Sequence, residues 1–152
     1  MKNGELHTLI DLLERSCLKF PENAYLWEKR EGGYRSVTYR QTRREVGDVA
    51  AGLLAGGLQK GDRVALLSEG CNDWVFAELG ILYAGGVNVP LSIKLTDKEL
   101  IFRVRHSGAR FLIVSDYYVA TLRRIEAELP EIEKIYVIRY SSAEEGKYNS
   151  FE

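Results

Sequence analysis

Apolar positions along the chain change their spacing several times, and each change marks an element. Leu6, Leu9, Ile10, Leu13 and Cys17 recur at helical intervals, with Thr8 and Asp11 as a capping pair, which predicts an amphipathic outer helix. Phe20-Pro21-Glu22-Asn23 breaks it. Ala24 to Arg30 and Tyr34 to Tyr39, separated by Glu31-Gly32-Gly33, read as a β-hairpin. Thr38-Tyr39-Arg40-Gln41 is a capping box opening a long helix with Val46, Val49, Ala50, Leu53 and Leu54 on its apolar side, stopped by Gly56-Gly57.

Gly61 to Pro90 reads as one strand, helix, strand unit around which the rest is arranged. Val64 to Leu67 is an apolar run without alternation, the pattern of a strand covered on both faces. Asn72 is placed to cap the next helix, with Asp73 in its first turn. From Trp74 to Ala84 that helix carries one charge, Glu78, so it belongs inside the protein. Ala77, Gly80 and Ala84 form a small-residue stripe that lets another backbone approach. Gly85-Gly86 stop the helix, and Val87 to Val89 forms a strand reached by a right-handed crossover, with Pro90 at its end.

The alternation continues. Thr96 and Glu99 box a helix bearing Leu100, Ile101 and Val104 that Ser107-Gly108 ends, and Phe111 to Val114 is the next strand. Asp116 is placed to cap a helix carrying Val119, Leu122, Ile125 and Leu129, closed by Pro130, before a strand at Ile135 to Ile138. The predicted fold class is α/β: a partial doubly wound, mostly parallel sheet with flanking helices, plus an N-terminal helix and β-hairpin. Residues 1–140 form this body, and the polar stretch 141–152 is expected to be a loop or tail. Both faces of such a sheet need cover, which the few helices supply incompletely; the expectation is an apolar patch and an open strand edge through which the chain pairs as a homodimer.

The 152 residues are 45% hydrophobic and 28% charged, enough for a real core. Twenty-one basic residues against twenty-two acidic ones give a charge of −1, which indicates neither a nucleic-acid footprint nor a polyacidic tail. Cys17 and Cys71 are isolated, as in a reducing compartment. Neither a signal peptide nor an apolar run of bilayer length is present, so a cytoplasmic location is expected.

Candidate chemistry is sparse. An open parallel sheet binds ligands beyond the carboxyl ends of its strands, which singles out Ser68 to Asn72, yet no G-x-G-x-x-G or G-x-x-x-x-G-K-[ST] occurs. The glycine pairs follow helices, where caps belong. His7 and His106 lack metal-ligand spacing, and His106 falls in a last helical turn, where a cation favours the helix. Cys71 has no sequence partner to make it a nucleophile. Arg40, Arg43 and Arg44 read as a solvated helix face, and Asp62, Glu69, Asp73 and Asp116 as turn or cap residues. No catalytic, cofactor-binding or metal-binding residue is assigned.

Five motifs in order resemble the N-terminal part of the adenylate-forming superfamily, which includes acyl-CoA synthetases, luciferases and peptide-synthetase adenylation domains. They are Val37-Thr38-Tyr39-Arg40-Gln41, Ala50 to Leu54 with Lys60 to Leu66, Asn72-Asp73-Trp74, Leu82 to Leu91, and His106-Ser107-Gly108-Ala109-Arg110 with the strand after it. Gln41 stands where that family carries an acid, and the Asn72 motif is one or two residues short. The resemblance implies a function: ATP and a carboxylate give an acyl-adenylate, and CoA then takes the acyl group. It implies ATP, Mg²⁺ and CoA as cofactors of the parent enzyme, a fatty acid or other carboxylate as substrate, and the remainder of the polypeptide as partner. Val87-Asn88-Val89-Pro90-Leu91-Ser92-Ile93-Lys94 is most like a fatty acyl-CoA synthetase, a long-chain fatty acid–CoA ligase. The superfamily's Ser/Thr/Gly-rich phosphate loop ending in P-K-G and its C-terminal catalytic Lys have no counterpart here, so the resemblance implies an inactive fragment of a longer chain, cut after Ile138. The alternative is a free-standing α/β binding or interaction module.

Overall fold

The computed structural model describes residues 6–139 and 148–151. Its first helix, α1 (Leu9–Lys19), opens on a reciprocal cap: the Asp11 N–H donates to Thr8 Oγ1 at 3.0 Å, and the Thr8 N–H to Asp11 Oδ2 at 2.9 Å. The chain then makes the hairpin, β1 (Ala24–Arg30) against β2 (Gly33–Thr38), with Trp27 opposite Ser36 and Lys29 opposite Tyr34. Thr38 and Gln41 box the start of α2 (Tyr39–Ala55). Its buried stripe runs through Thr42, Val46, Ala50 and Leu53. Leu54, expected on that stripe, is 53% exposed instead, because the stripe follows steps of four, four and three residues and leaves Leu54 outside.

The sheet begins with β3 (Arg63–Leu67), followed by α3 (Asn72–Tyr83) and β4 (Val87–Pro90). The cap of α3 is Cys71 rather than Asn72. After the short Ser68–Gly70 turn, Cys71 has the extended backbone a cap requires (φ −149°, ψ 172°), and Asn72 is already helical. Asp73 does fall in the first turn. Thr96 and Glu99 box α4 (Asp97–Ser107), which ends at Gly108 with φ 67°. Next come β5 (Phe111–Ser115), buried throughout, α5 (Val119–Ile125) and β6 (Lys134–Ile138). Asp116 does not cap α5. It starts a 3₁₀ turn, Asp116–Tyr118, and a second 3₁₀ turn follows at Glu126–Glu128. Val119, Leu122, Ile125 and Leu129 are buried all the same, since steps of three, three and four suit mixed 3₁₀ and α geometry as well as one continuous helix.

Where the sequence suggests a loop or tail at 141–152, the stretch 140–147 lies outside the described residues, and the chain beyond it forms β7 (Asn149–Ser150). The polar stretch contains two aromatics that anchor this strand. Tyr148 is buried on one sheet face with its hydroxyl donating to Glu126 Oε2 at 2.7 Å; Phe151 packs on the other face and donates its N–H to Val137 O at 3.1 Å.

The sheet is parallel, in the order β4-β3-β5-β6-β7. Val64, Leu66, Phe111 and Ile113 face α2 and α3, while Ala65, Leu67, Leu112 and Val114 face α4 and α5. Both faces therefore carry helices. At β4, the Val87 and Leu91 N–H groups donate inward to Asp62 O and Leu66 O, at 2.8 and 2.9 Å. Pro90, lacking a donor, falls on the outer side of this edge. A third cluster, with Leu13, Cys17, Val46, Phe76 and Leu79 at its centre and Leu26 and Val37 against it, packs α1 and the hairpin onto α2 and α3.

Candidate ligand crevice at the carboxyl edge

The strand order fixes where a crevice must open. From β3 the chain leaves to the face covered by α3, and from the adjacent β5 to the face covered by α5, so the connections part between these strands. Open α/β sheets bind ligands at such a switch point, beyond the carboxyl ends. Ser68 and Ser115, the first residue past β3 and the last of β5, stand there, and both are buried.

Glu69 links the ends of β3 and β5. Its Oε2 accepts from Ser115 Oγ at 2.6 Å, while Ser68 Oγ donates to the Glu69 carbonyl at 3.0 Å and lies 3.8 Å from Cys71 Sγ. Burial, and then the Glu69 charge, push the Tyr118 hydroxyl above its ordinary pKa. Cys71 makes no side-chain hydrogen bond to the start of α3. Asp73 instead accepts from Arg139 Nε at 2.6 Å.

Arg139 follows β6 with φ 58° and donates through Nη2 to Glu28 Oε1 of the hairpin at 2.7 Å. Burial pushes the Glu28 carboxyl up, but Arg139 and Arg30 outweigh it and hold that group below its ordinary pKa. Burial likewise opposes the charge of Arg139, and Glu28 and Asp73 more than compensate.

Of the residues singled out in the sequence, Ser68, Glu69, Cys71 and Asp73 gather at this edge. Asn72 and Asp116 adjoin them, as the first residues of α3 and of the 3₁₀ turn after β5, while the histidines, the α2 arginines, Cys17 and Asp62 have structural partners elsewhere. His106 stacks on Phe102 at 5.4 Å in the last turn of α4, and the His7 N–H donates to Asp11 Oδ2 at 3.1 Å. Arg40, Arg43 and Arg44 pair with Glu22, Glu14 and Asp48. Cys17 is buried and donates to Tyr39 O at 3.2 Å; burial pushes its thiol up. Asp62 accepts from Arg110 and from the Gln59 N–H.

Ser115, Tyr118, Arg139 and Glu28 are additions that the sequence reading passed over. Ser115 could be found as the polar residue ending a strand; a lone arginine after an apolar run gives no such signal. Among the described residues no group of three His, Cys, Asp or Glu could hold a metal ion, and no helix is long and apolar enough to cross a membrane. The edge thus brings two buried hydroxyls, Ser68 and Ser115, together with the Glu69 carboxylate.

Comparison with known proteins agrees with this architecture. The family model described as AMP-binding enzyme matches residues 13–151. A crotonobetaine/carnitine–CoA ligase from Citrobacter koseri is 30% identical over 107 residues, 70% of this chain and 21% of the relative. The human mitochondrial acyl-coenzyme A synthetase ACSM2B is 26% identical over 122 residues, 79% of this chain and 21% of the relative. The chain thus spans about a fifth of these relatives. The crystal structure of the anthranilate CoA ligase AuaEII in complex with anthranoyl-AMP superposes with a TM-score of 0.86 at 28% identity, covering 98% of this chain and 28% of that one.

Proposed function

The chain belongs to the AMP-binding enzyme family, as an N-terminal portion of the adenylate-forming acyl-CoA ligase fold, and on that premise we propose that it serves carboxylate activation. In the reaction a carboxylate oxygen attacks the α-phosphorus of ATP and pyrophosphate leaves. The thiol sulfur of CoA then attacks the acyl carbonyl, its proton passes to a base, and AMP departs. The observation that carries this reading is the family match over residues 13–151.

These residues do not by themselves fit the triphosphate or Mg²⁺. The described residues contain no metal-binding group of three acids, histidines or cysteines, and the sequence holds no glycine-rich phosphate loop. Residues 1–140 act as scaffold, and the carboxyl edge meets the segments of the longer polypeptide that hold nucleotide and metal. The 152 residues alone are inactive in this account, because the sequence lacks the phosphate loop and the described residues lack a metal-binding group to stabilise charge developing on phosphate. A fatty acid is the first substrate to test, given the resemblance of Val87 to Lys94, followed by aryl and short-chain acids.

The test is a ligation assay on the longer polypeptide, with ATP, Mg²⁺, CoA and a carboxylate panel, reading acyl-CoA by mass spectrometry. ATP-dependent thioester formation with at least one acid is expected. Absence of thioester across the panel in a folded protein would overturn the proposal.

A further inference from the structure

The hairpin beside the crevice is attached unevenly. Its base is fixed by the Tyr39 N–H donating to Asn23 O at 3.1 Å, by the Arg40 N–H donating to Pro21 O at 3.0 Å, and by Tyr25 stacked on Tyr39 at 4.5 Å. Leu26 and Val37 then pack against the cluster of α1, α2 and α3. Past these two residues toward the turn, both strands are exposed at every position except Glu28. The Glu28 side chain is only 13% exposed, and its partners are arginines.

Those partners tie the far half of the hairpin to the carboxyl edge. Arg139, leaving β6, is forked between Glu28 and Asp73, and Arg30 Nη2 lies 3.1 Å from Glu28 Oε2 and 3.8 Å from Asp73 Oδ2. Two cations and two anions thus join the hairpin, the first turn of α3 and the exit of β6. Arg139 is also the one non-glycine residue with positive φ among the described residues, a backbone state that L residues seldom adopt without outside support.

We propose that the hairpin is a strap across the carboxyl edge of the sheet and that Arg139 is its latch. In the latched position Arg139 holds Asp73 and Glu28 together. With the latch broken, the far half swings on its fixed base at Asn23 and Tyr39 and uncovers the first turn of α3 and the end of β6. Among the described residues of the hairpin, Leu26 and Val37 are the ones packed against an apolar cluster, so beyond them the charge contacts set the equilibrium. The device stands whether or not the chain serves carboxylate activation.

Hydrogen exchange read by mass spectrometry on the purified protein tests it with two variants. Arg139→Gly removes the guanidinium while glycine accepts φ 58° readily, and Glu28→Gln removes one charge without touching the Arg139 backbone. In Arg139→Gly, peptides covering Glu28 to Arg35 should exchange about tenfold faster or more, while those of β3 and β5 stay unchanged. Glu28→Gln should give a smaller rise at the same peptides. Unchanged hairpin exchange in both variants, or an equal rise throughout β3 and β5, would overturn the latch; the second result would make Arg139 a general stability residue.

Discussion

Gly80 of α3 lies against Val49 of α2 so closely that no other side chain fits between them. A Cβ added at Gly80 would stand 2.7 Å from Val49 Cβ and 3.3 Å from the Val46 carbonyl oxygen. Val49 is β-branched on a helix and has essentially one rotamer, so it cannot turn aside. The missing Cβ is what lets the two helices share one layer over Val64, Leu66 and Ile113.

Gly80→Ala is therefore expected to lower stability by about 1–3 kcal/mol through overpacking, although alanine favours a helix by about 1 kcal/mol. Gly80→Leu should cost more. Urea denaturation checks both, and equal or greater stability of the alanine variant would contradict the close fit.

Arg110 ties the start of β5 to two carboxylates. It donates through Nη1 to Asp62 at 2.5 Å and through Nε and Nη2 to Glu133 at 2.8 and 2.7 Å. The Arg110 hydrogen bond is the main cause that lowers both acids below their ordinary values, and the Gln59 N–H adds to it at Asp62. A depressed folded pKa gives stability that is present above the unfolded pKa and lost as pH falls through the folded one. Arg110→Ala should thus be less stable than the parent at neutral pH, with the gap closing as pH drops below about 4. Denaturation at several pH values measures it. A gap of the same size at neutral and acid pH would assign the effect to packing of the arginine stem.

At the crevice, Ser115 is 2% exposed and Glu69 is half-buried, so removing either partner has unequal effects. Glu69→Ala leaves the Ser115 hydroxyl buried without its acceptor and should cost about 1–3 kcal/mol. Ser115→Ala leaves Glu69 free to turn to water and should cost about 1 kcal/mol or less. The double variant should fall short of the sum, with a coupling of about 0.5–1.5 kcal/mol. Strict additivity would show that the 2.6 Å contact carries no net energy.

Features set within one turn of chain were legible in the sequence. Thr8 with Asp11, Thr38 with Gln41 and Thr96 with Glu99 each form the expected cap, because a capping box depends on four adjacent residues. The apolar runs gave β3, β5 and β6, and the small-residue stripe gave the Gly80 contact. Asn72 and Asp116 misled because a cap is decided by backbone dihedrals, which at those positions favour Cys71 and a 3₁₀ turn. The short β7 was hidden because its strand residues, Asn149 and Ser150, are polar and only Tyr148 and Phe151 reach the core.

The site was less legible than the fold. Ser68 to Asn72 could be placed at a strand end, but the residues that complete the edge come from far along the chain. Ser115 is 46 positions from Glu69, and Arg139 is 111 from Glu28. Neither distance leaves a spacing pattern in one sequence. The resemblance carried what spacing could not, since the order of five modest motifs points to the family that the match over residues 13–151 shows.

We propose that this chain supplies the scaffold of a carboxylate-activating enzyme and that the phosphate chemistry comes from segments joined to it. Carboxylate-dependent exchange of labelled pyrophosphate into ATP tests this most directly, measured in parallel on the 152-residue chain and on the polypeptide that continues it. Background exchange is expected for the chain alone, and exchange with at least one carboxylate for the longer polypeptide. Exchange by the chain alone, or none by the folded longer polypeptide, would contradict it.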